Sequence, residues 1–291
     1  MSGRTDRRHL LLGLGSAAAC LPIVPAPGVS SSLPLRFALT PVLLTSDLVM
    51  IEELKAYLSR TLARPVHLIT RRTYQEITAL LVSRQVDAAW ICGYPFVSFR
   101  DQLALVAVPL WNGKPLYQSY LICRHGSQAA NLADLAGSVH AFSDPDSNSG
   151  YLVTAAALAE MGTTPSGFFK HFFYTYGHRN VVRAVAAGLA ASGSVDGYVY
   201  DVLKTTEPEL VAQTRIMRRS ELLGFPPVAC AAADAHTPEM ARLREAFVSM
   251  PAHEDGRRVL GMLRLDGFRI ETAELFQDIA EKMKIVRRLA E

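Results

Sequence analysis

The chain has 291 residues, of which 49% are hydrophobic and 20% charged, and its formal net charge is +3 at pH 7. These proportions are those of an ordinary globular protein, and they exclude a disulfide-stapled miniprotein, a low-complexity fibre and a long disordered chain. Most of the small positive charge lies in the first 31 residues, so the rest of the chain lacks the basic stripe typical of a nucleic-acid-binding protein.

The first 32 residues are predicted to form an export signal followed by a linker. Arg7 and Arg8 precede the apolar residues 10–15, and a strip rich in small residues, proline and serine follows. The apolar run is too short to span a bilayer, and the paired arginines are typical of a twin-arginine signal. Cys20, which follows three alanines, is an alternative site of lipoprotein acylation. We therefore expect a periplasmic protein, peripheral to the inner membrane.

After this segment, short apolar runs bounded by turn residues alternate with helical patterns, which is typical of an α/β fold. The first elements alternate strand and helix and predict parallel βαβ units, at 33–39, 46–62, 66–70, 74–82 and 86–92. The next elements again alternate strand and helix, at 118–124, 131–135, 139–142, 151–161, 172–175, 180–187 and 197–200. Apolar and helical patterns close the chain at 210–217, 228–233, 238–250 and 272–288.

This order of elements predicts two α/β lobes. Lobe 1 is expected to comprise residues 33–117 and 226–291, and lobe 2 residues 118–225. The chain would leave lobe 1 near 117–123 and return near 225–231, and two such crossings form a hinge. Two lobes that flank a cleft and share a hinge suit a protein that closes on a small ligand.

A Ser-rich turn is the strongest candidate for binding chemistry. Ser147, Asn148, Ser149 and Gly150 come directly before the helix predicted from residue 151. The unpaired N–H groups and the positive dipole end of that helix would favour an anion in the turn. The alternative is that one serine is only an N-cap.

The four cysteines, at positions 20, 92, 123 and 230, lack the spacing of a zinc site. We therefore expect neither a metal nor a cofactor. If Cys20 is removed with the signal, three cysteines remain, so at least one thiol stays unpaired in an oxidising compartment.

Several segments together resemble the periplasmic solute-binding proteins of phosphate, phosphite and phosphonate uptake systems, a type II periplasmic-binding-protein family. These segments are 74–77, 86–90, 144–151, 177–185, 195–197 and 224–227. The resemblance implies a two-lobed fold in which each lobe is a mainly parallel sheet flanked by helices, with a two-strand hinge. It also implies capture of a small tetrahedral oxyanion by lobe closure and delivery to an ABC permease, without enzymatic activity.

The resemblance assigns oxyanion contacts to Ser147, Asn148 and Ser149, although the family usually has threonine in the middle position. His178 follows a glycine at the start of a predicted helix and would donate an N–H to the anion. The alternative for His178 is a surface or capping histidine. Tyr74 resembles a family aromatic residue that lines the cleft, with helix packing as the alternative.

Asp201 is expected at the end of the strand predicted at 197–200, where open α/β sheets bind their ligands. Its carboxylate would accept from a protonated oxyanion or from the ammonium group of an aminoalkylphosphonate. Tyr117 and Ser119, near the first crossing, are candidates for either hinge or ligand groups.

The turn after the strand at 86–91 departs from the family pattern. Phe96 stands where the family commonly has a tyrosine hydroxyl, and Cys92 is expected at the edge of the cleft. Cys92 either packs as a small hydrophobe or ligates a thiophilic solute such as trivalent arsenic. The second possibility gives the alternative function, an arsenite- or oxyanion-binding sensor that signals to a membrane histidine kinase.

An enzyme would need a nucleophile and an oriented base. Cys92 and His178 are the available pair, but they are expected in different lobes and would meet only on closure. The sequence has no Ser-His-Asp order, G-x-S-x-G motif or P-loop. The binding interpretation is therefore favoured over catalysis.

Overall fold

The computed structural model describes residues 33–40 and 48–290. The predicted export signal and linker, with Cys20, lie outside the described residues and stay predictions. In the described part of the chain, no helix has the length and apolar character needed to cross a membrane.

The described residues form strands and helices in alternation, as the sequence predicts. The strands are β1 (Leu35–Leu39), β2 (Val66–Thr70), β3 (Ala88–Trp90), β4 (Leu103–Leu110), β5 (Leu116–Tyr117), β6 (Ser119–Arg124), β7 (Val139–Phe142), β8 (His171–Tyr174), β9 (Ser192–Asp196), β10 (Thr214–Arg219), β11 (Leu223–Gly224), β12 (Val228–Ala231) and β13 (Gly267–Arg269). The α-helices are α1 (Leu48–Thr61), α2 (Tyr74–Val82), α3 (Gly93–Ser98), α4 (Val153–Glu160), α5 (Pro165–Phe168), α6 (His178–Ala186), α7 (Gly197–Thr206), α8 (Pro208–Ala212), α9 (Pro238–Val248), α10 (Glu254–Leu263) and α11 (Gln277–Ala290).

Lobe 1 is built on a six-stranded sheet with the order β13-β4-β12-β3-β1-β2. β1 pairs in parallel with β2 and β3, while β12 runs antiparallel to both β3 and β4. Four of the six strands therefore point the same way, with β12 and β13 reversed. The core packs between this sheet and its helices, where the rings of Phe37 and Phe247 lie 5.7 Å apart.

Lobe 2 is built on a five-stranded sheet with the order β10-β6-β9-β7-β8. β7 pairs in parallel with β8 and β9, and β6 runs antiparallel to β9 and β10. In both lobes the strand that follows a crossing, β12 or β6, is inserted antiparallel into the sheet. The predicted α/β class with two sheets is confirmed.

The two crossings pair with each other as a short antiparallel ladder between β5 and β11. Gly224 is needed in this ladder because a Cβ there would lie 2.8 Å from the carbonyl oxygen of Leu275. We propose that the lobe boundaries at 117/118 and 225/226 fall at this hinge. The C-terminal helix α11 packs against α3 of lobe 1 and α4 of lobe 2, so it contacts both lobes.

Two predicted elements differ from the structure. The strand expected at 197–200 is the helix α7, and the strand of that region, β9, ends earlier at Asp196. β9 begins with Ser192-Gly193-Ser194, and small residues of this kind are typical of a loop. Here the strand packs closely against α6, and a Cβ at position 193 would lie 2.5 Å from the Val181 side chain, so glycine is needed there. The segment 210–217 divides into α8 and β10. The elements for which the sequence pattern gives no prediction include β4, β13, α3 and α10.

Candidate functional site

Eight polar or sulfur-containing side chains converge between the lobes, and each is at most 2% exposed. They come from the starts of helices, the ends of strands and the hinge, which is where open α/β sheets place their ligands. We call them the interlobe cluster: Tyr74, Cys92, Tyr117, Asp144, Asn148, Ser149, His178 and Asp196.

His178 and Tyr74 meet across the cleft. His178 is the first residue of α6, and its Nδ1 accepts the backbone N–H of Asp196 at 3.1 Å. Burial lowers the pKa of His178 to about 3, so the ring is neutral and carries its single proton on Nε2. Nε2 lies 3.2 Å from the Tyr74 hydroxyl oxygen and donates to it. The hydroxyl proton of Tyr74 is thereby left to donate elsewhere.

Tyr117 has a similar arrangement on the hinge strand β5. Its hydroxyl oxygen accepts from the side-chain amide of Asn148 at 2.8 Å, which leaves its own proton as a donor. Burial raises the pKa of both Tyr74 and Tyr117 well above the ordinary value, so both are neutral phenols at neutral pH. The Asn148 side-chain oxygen is buried without a hydrogen-bond partner in the protein. Buried polar atoms without a protein partner are typical of a site where a ligand or a water molecule supplies the missing hydrogen bond.

The Ser-rich turn forms the first turn of the helix that leads into α4. Asn148–Leu152 is π-helical, because the Leu152 N–H bonds to the carbonyl of Ser147, five residues back. The Ser147 hydroxyl oxygen accepts the Gly150 N–H at 3.0 Å, so the N-cap role considered for a serine in this turn is present. This cap does not exclude ligand binding, since the hydroxyl proton of Ser147 remains a donor. Single π turns occur frequently at functional sites.

Ser119 supports this turn from β6. Its hydroxyl donates to the backbone carbonyl of Ser149 at 2.6 Å. Ser119 is therefore a positioning residue for the turn, whereas Tyr117 is part of the interlobe cluster.

Asp196 ends β9 and caps α7. One carboxylate oxygen accepts the Val199 N–H at 3.2 Å, and the other faces the Ser149 hydroxyl at 3.5 Å. Burial raises the pKa of Asp196 from 3.8 to about 7. The carboxyl can therefore accept or donate a proton near neutral pH.

Asp196 takes the place that the sequence led us to expect for Asp201. Asp201 lies one turn into α7, where it accepts hydrogen bonds from Tyr120 at 2.9 Å and Lys204 at 2.7 Å. The interpretation placed the strand five residues too late, so it selected the wrong aspartate for the strand end. An aspartate followed by a helical pattern at N-cap spacing was the signal that would have identified Asp196.

Cys92 and Phe96 lie on the short helix α3, at its N-cap and in its interior. The Phe96 ring packs 5.0 Å from Phe276, so the structure places it in the core of lobe 1 and not among the cluster side chains. The Cys92 sulfur accepts the Asn148 N–H at 3.2 Å, and burial raises the pKa of the thiol to about 12. A neutral thiol that caps a helix favours the packing interpretation, and ligation of arsenic stays a prediction.

The electrostatics of the cluster are unusual for an anion site. Among the described residues, no Lys or Arg forms an ion pair with a member of the cluster. An anion there would be held by neutral donors and by the dipoles of the helices that begin at the cluster. In the same part of the chain, no group of three His, Cys, Asp or Glu side chains is placed to hold a metal ion.

The fold and the buried cluster between its lobes define a type II periplasmic binding protein. The family model of ABC-transporter phosphonate periplasmic substrate-binding proteins matches residues 37–276. The chain belongs to this family, whose members are substrate-binding transport proteins of the periplasm and not enzymes.

Solved structures agree with this fold. A binding-protein component of an ABC phosphonate transporter from Pseudomonas aeruginosa has a TM-score of 0.80 at 21% identity, covering 89% of this chain and 88% of that one. PhnD1 from Prochlorococcus marinus, in complex with methylphosphonate, has a TM-score of 0.77 at 15% identity, covering 88% and 98%. A histidine kinase sensor domain has a TM-score of 0.58 at 16% identity, covering 80% and 96%.

Proposed function

We propose that the protein captures a phosphonate, or a related small tetrahedral oxyanion such as phosphate or phosphite, in the interlobe cluster and presents it to an ABC permease. The observation that carries this proposal is a fully buried set of neutral donors, contributed by both lobes, at the start of two helices. Family membership supports a phosphonate in particular.

Two hydroxyl groups of the interlobe cluster, and that of Ser147 in the adjoining Ser-rich turn, would supply donors to the oxyanion. Tyr74 and Tyr117 each accept one hydrogen bond from a neighbour, which leaves their protons for the ligand. Ser147 accepts the Gly150 N–H and can likewise donate. Hydrogen bonds to a charged group are each worth about 1.5 to 3 kcal/mol, so three of them would compensate for the lack of a cation.

Asp196 would select the protonation state or the substituent of the ligand. Its carboxylate repels a fully ionised dianion but accepts from a P–OH group or from an ammonium substituent. This is the role that the sequence led us to assign to Asp201. A singly protonated oxyanion and an aminoalkylphosphonate are therefore the ligands whose chemistry fits the cluster.

Calorimetric titration of the purified chain with phosphate, phosphite, methylphosphonate and 2-aminoethylphosphonate tests the proposal. At least one of these ligands should bind, and Ser147→Ala and Tyr74→Phe should each weaken it on the order of tenfold or more. Asp196→Asn should also change ligand binding, and Asp201→Asn is its matched control, because of these two aspartates only Asp196 lies in the cluster. Binding of no ligand in the panel, or equal effects of the two asparagine variants, would contradict the proposed site.

A permease and an ATPase encoded beside this gene would support the transport partner. A sensor kinase gene in the same place would contradict it.

A further inference from the structure

Each lobe carries a side chain that caps a helix of the other lobe. The Asp144 carboxylate of lobe 2 accepts the Tyr74 N–H, the first of α2 in lobe 1, at 3.2 Å. In the opposite direction, the Cys92 sulfur of lobe 1 accepts the Asn148 N–H of the lobe 2 helix at 3.2 Å. Because the first N–H groups of a helix have no partner within the helix, both contacts satisfy donors that only the facing lobe reaches.

The local sequence of α2 leaves its first N–H for this contact. Thr73 and Glu76 form a capping box, in which the Thr73 hydroxyl accepts the Glu76 N–H at 3.2 Å and the Glu76 carboxylate accepts the Thr73 N–H at 3.0 Å. The box does not use the Tyr74 N–H. A carboxylate is also the group that the positive end of the helix dipole favours.

Asp144 is firmly placed for this contact. Its second oxygen accepts the Asp146 N–H at 2.8 Å, so both oxygens are occupied by backbone donors, and the residue is 1% exposed. Tyr74 is therefore fixed to lobe 2 at two points, through its N–H by Asp144 and through its hydroxyl by His178. Separation of the lobes breaks both contacts.

We propose that Asp144 is the member of the interlobe cluster that acts as a latch: it stabilises the closed form and positions the Tyr74 hydroxyl. Because both of its carboxylate oxygens are taken by backbone N–H groups, ligand contact is left to the other members of the cluster. Asp144 thereby sets how long a bound ligand is retained. The expectation that Asp144 controls ligand retention rests on the proposed function, whereas the expectation that it stabilises the closed form does not.

Two substitutions at Asp144 test the latch, with Asp146→Asn as the matched control. Asp144→Ala removes both acceptors, and Asp144→Asn keeps one oxygen for two N–H groups. Asp146 is a neighbouring carboxylate whose side chain, among the described residues, forms no hydrogen bond with lobe 1.

Small-angle scattering of each chain without added ligand reports closure through the radius of gyration. Stopped-flow fluorescence with methylphosphonate reports association and dissociation, with Trp90 as a reporter because its indole N–H bonds to the Pro226 carbonyl at the return crossing, at 2.9 Å.

We expect both Asp144 variants to have a larger radius of gyration than the wild type, and Asp146→Asn to match it. Dissociation of methylphosphonate should be on the order of tenfold faster in Asp144→Ala, with association no slower than in the wild type because the ligand-free variant is more open, and a general loss of stability would not produce this pair of effects. If Asp144→Ala fails to fold, Asp144→Asn decides the question. Equal radii and equal dissociation rates in the Asp144 variants and the wild type would overturn the latch. If the wild type binds no ligand in the panel, the proposed function fails, and scattering still decides the latch.

Discussion

Replacement of Asp196 by asparagine should remove a pH dependence that this carboxyl gives to the stability of the protein. Burial raises the pKa of Asp196 from 3.8 to about 7 in the folded chain. Between these values the folded chain holds a proton that the unfolded chain has lost, so this group favours folding at the acid end. This stabilising contribution is lost as the pH rises through the folded pKa. The difference between the folded and unfolded pKa values corresponds to about 4 kcal/mol of unfolding free energy.

Scanning calorimetry of the wild type and Asp196→Asn between pH 4 and pH 8, without ligand and in acetate and Tris buffers, measures this effect. Asparagine is as good an N-cap as aspartate, so the contact with the Val199 N–H is retained. As the pH rises from 4 to 8, the Tm of the variant should rise relative to that of the wild type by about 10 °C. This value follows from a difference in unfolding free energy of about 4 kcal/mol and a Tm change of about 2 to 4 °C for each kcal/mol.

Other buried groups do not obscure this comparison. Burial lowers the pKa of His140 and of His178 to about 3, so both histidines favour folding at higher pH, opposite to Asp196. They are present in both chains, and their contribution cancels in the difference. Parallel Tm profiles of the two chains would refute the raised pKa and with it the role of Asp196 as a proton-accepting group near neutral pH.

Three further predictions concern single substitutions. His140→Ala should lower the free energy of unfolding by about 3 kcal/mol, measured by thermal denaturation, because a cavity remains in lobe 2 and the Ser192 hydroxyl loses its partner, whereas Ser194 keeps its bond to Thr154. Gly150→Ala should abolish ligand binding in calorimetry, since its Cβ would lie 1.8 Å from the Ser143 hydroxyl, whereas Gly261→Ala, with no atom within 4 Å, should bind normally. Cys92→Ser should keep phosphonate affinity, and arsenite under reducing conditions should leave the fluorescence of the wild type unchanged, because the thiol is neutral. An arsenite response that the serine variant loses would instead show ligation.

The sequence determined the local elements and the class of the fold. Strand and helix periodicity depends on neighbours within a few residues, and the Ser-rich turn is visible because its helix follows directly. Where small residues replace the apolar pattern, as in Ser192-Gly193-Ser194 of β9, periodicity fails. The strand was then placed too late, and Asp201 was selected in place of Asp196.

The tertiary structure alone decided which polar groups meet. Tyr74 and His178 are 104 positions apart, and Cys92 and Asn148 are 56 apart, so no local pattern encodes their contacts. Their juxtaposition follows from the order of the strands in two sheets and from the two crossings at β5 and β11. Because burial between the lobes removes water from these groups, the tertiary structure also determines their pKa values. Burial leaves His178 neutral and raises the pKa of Asp196 to about 7.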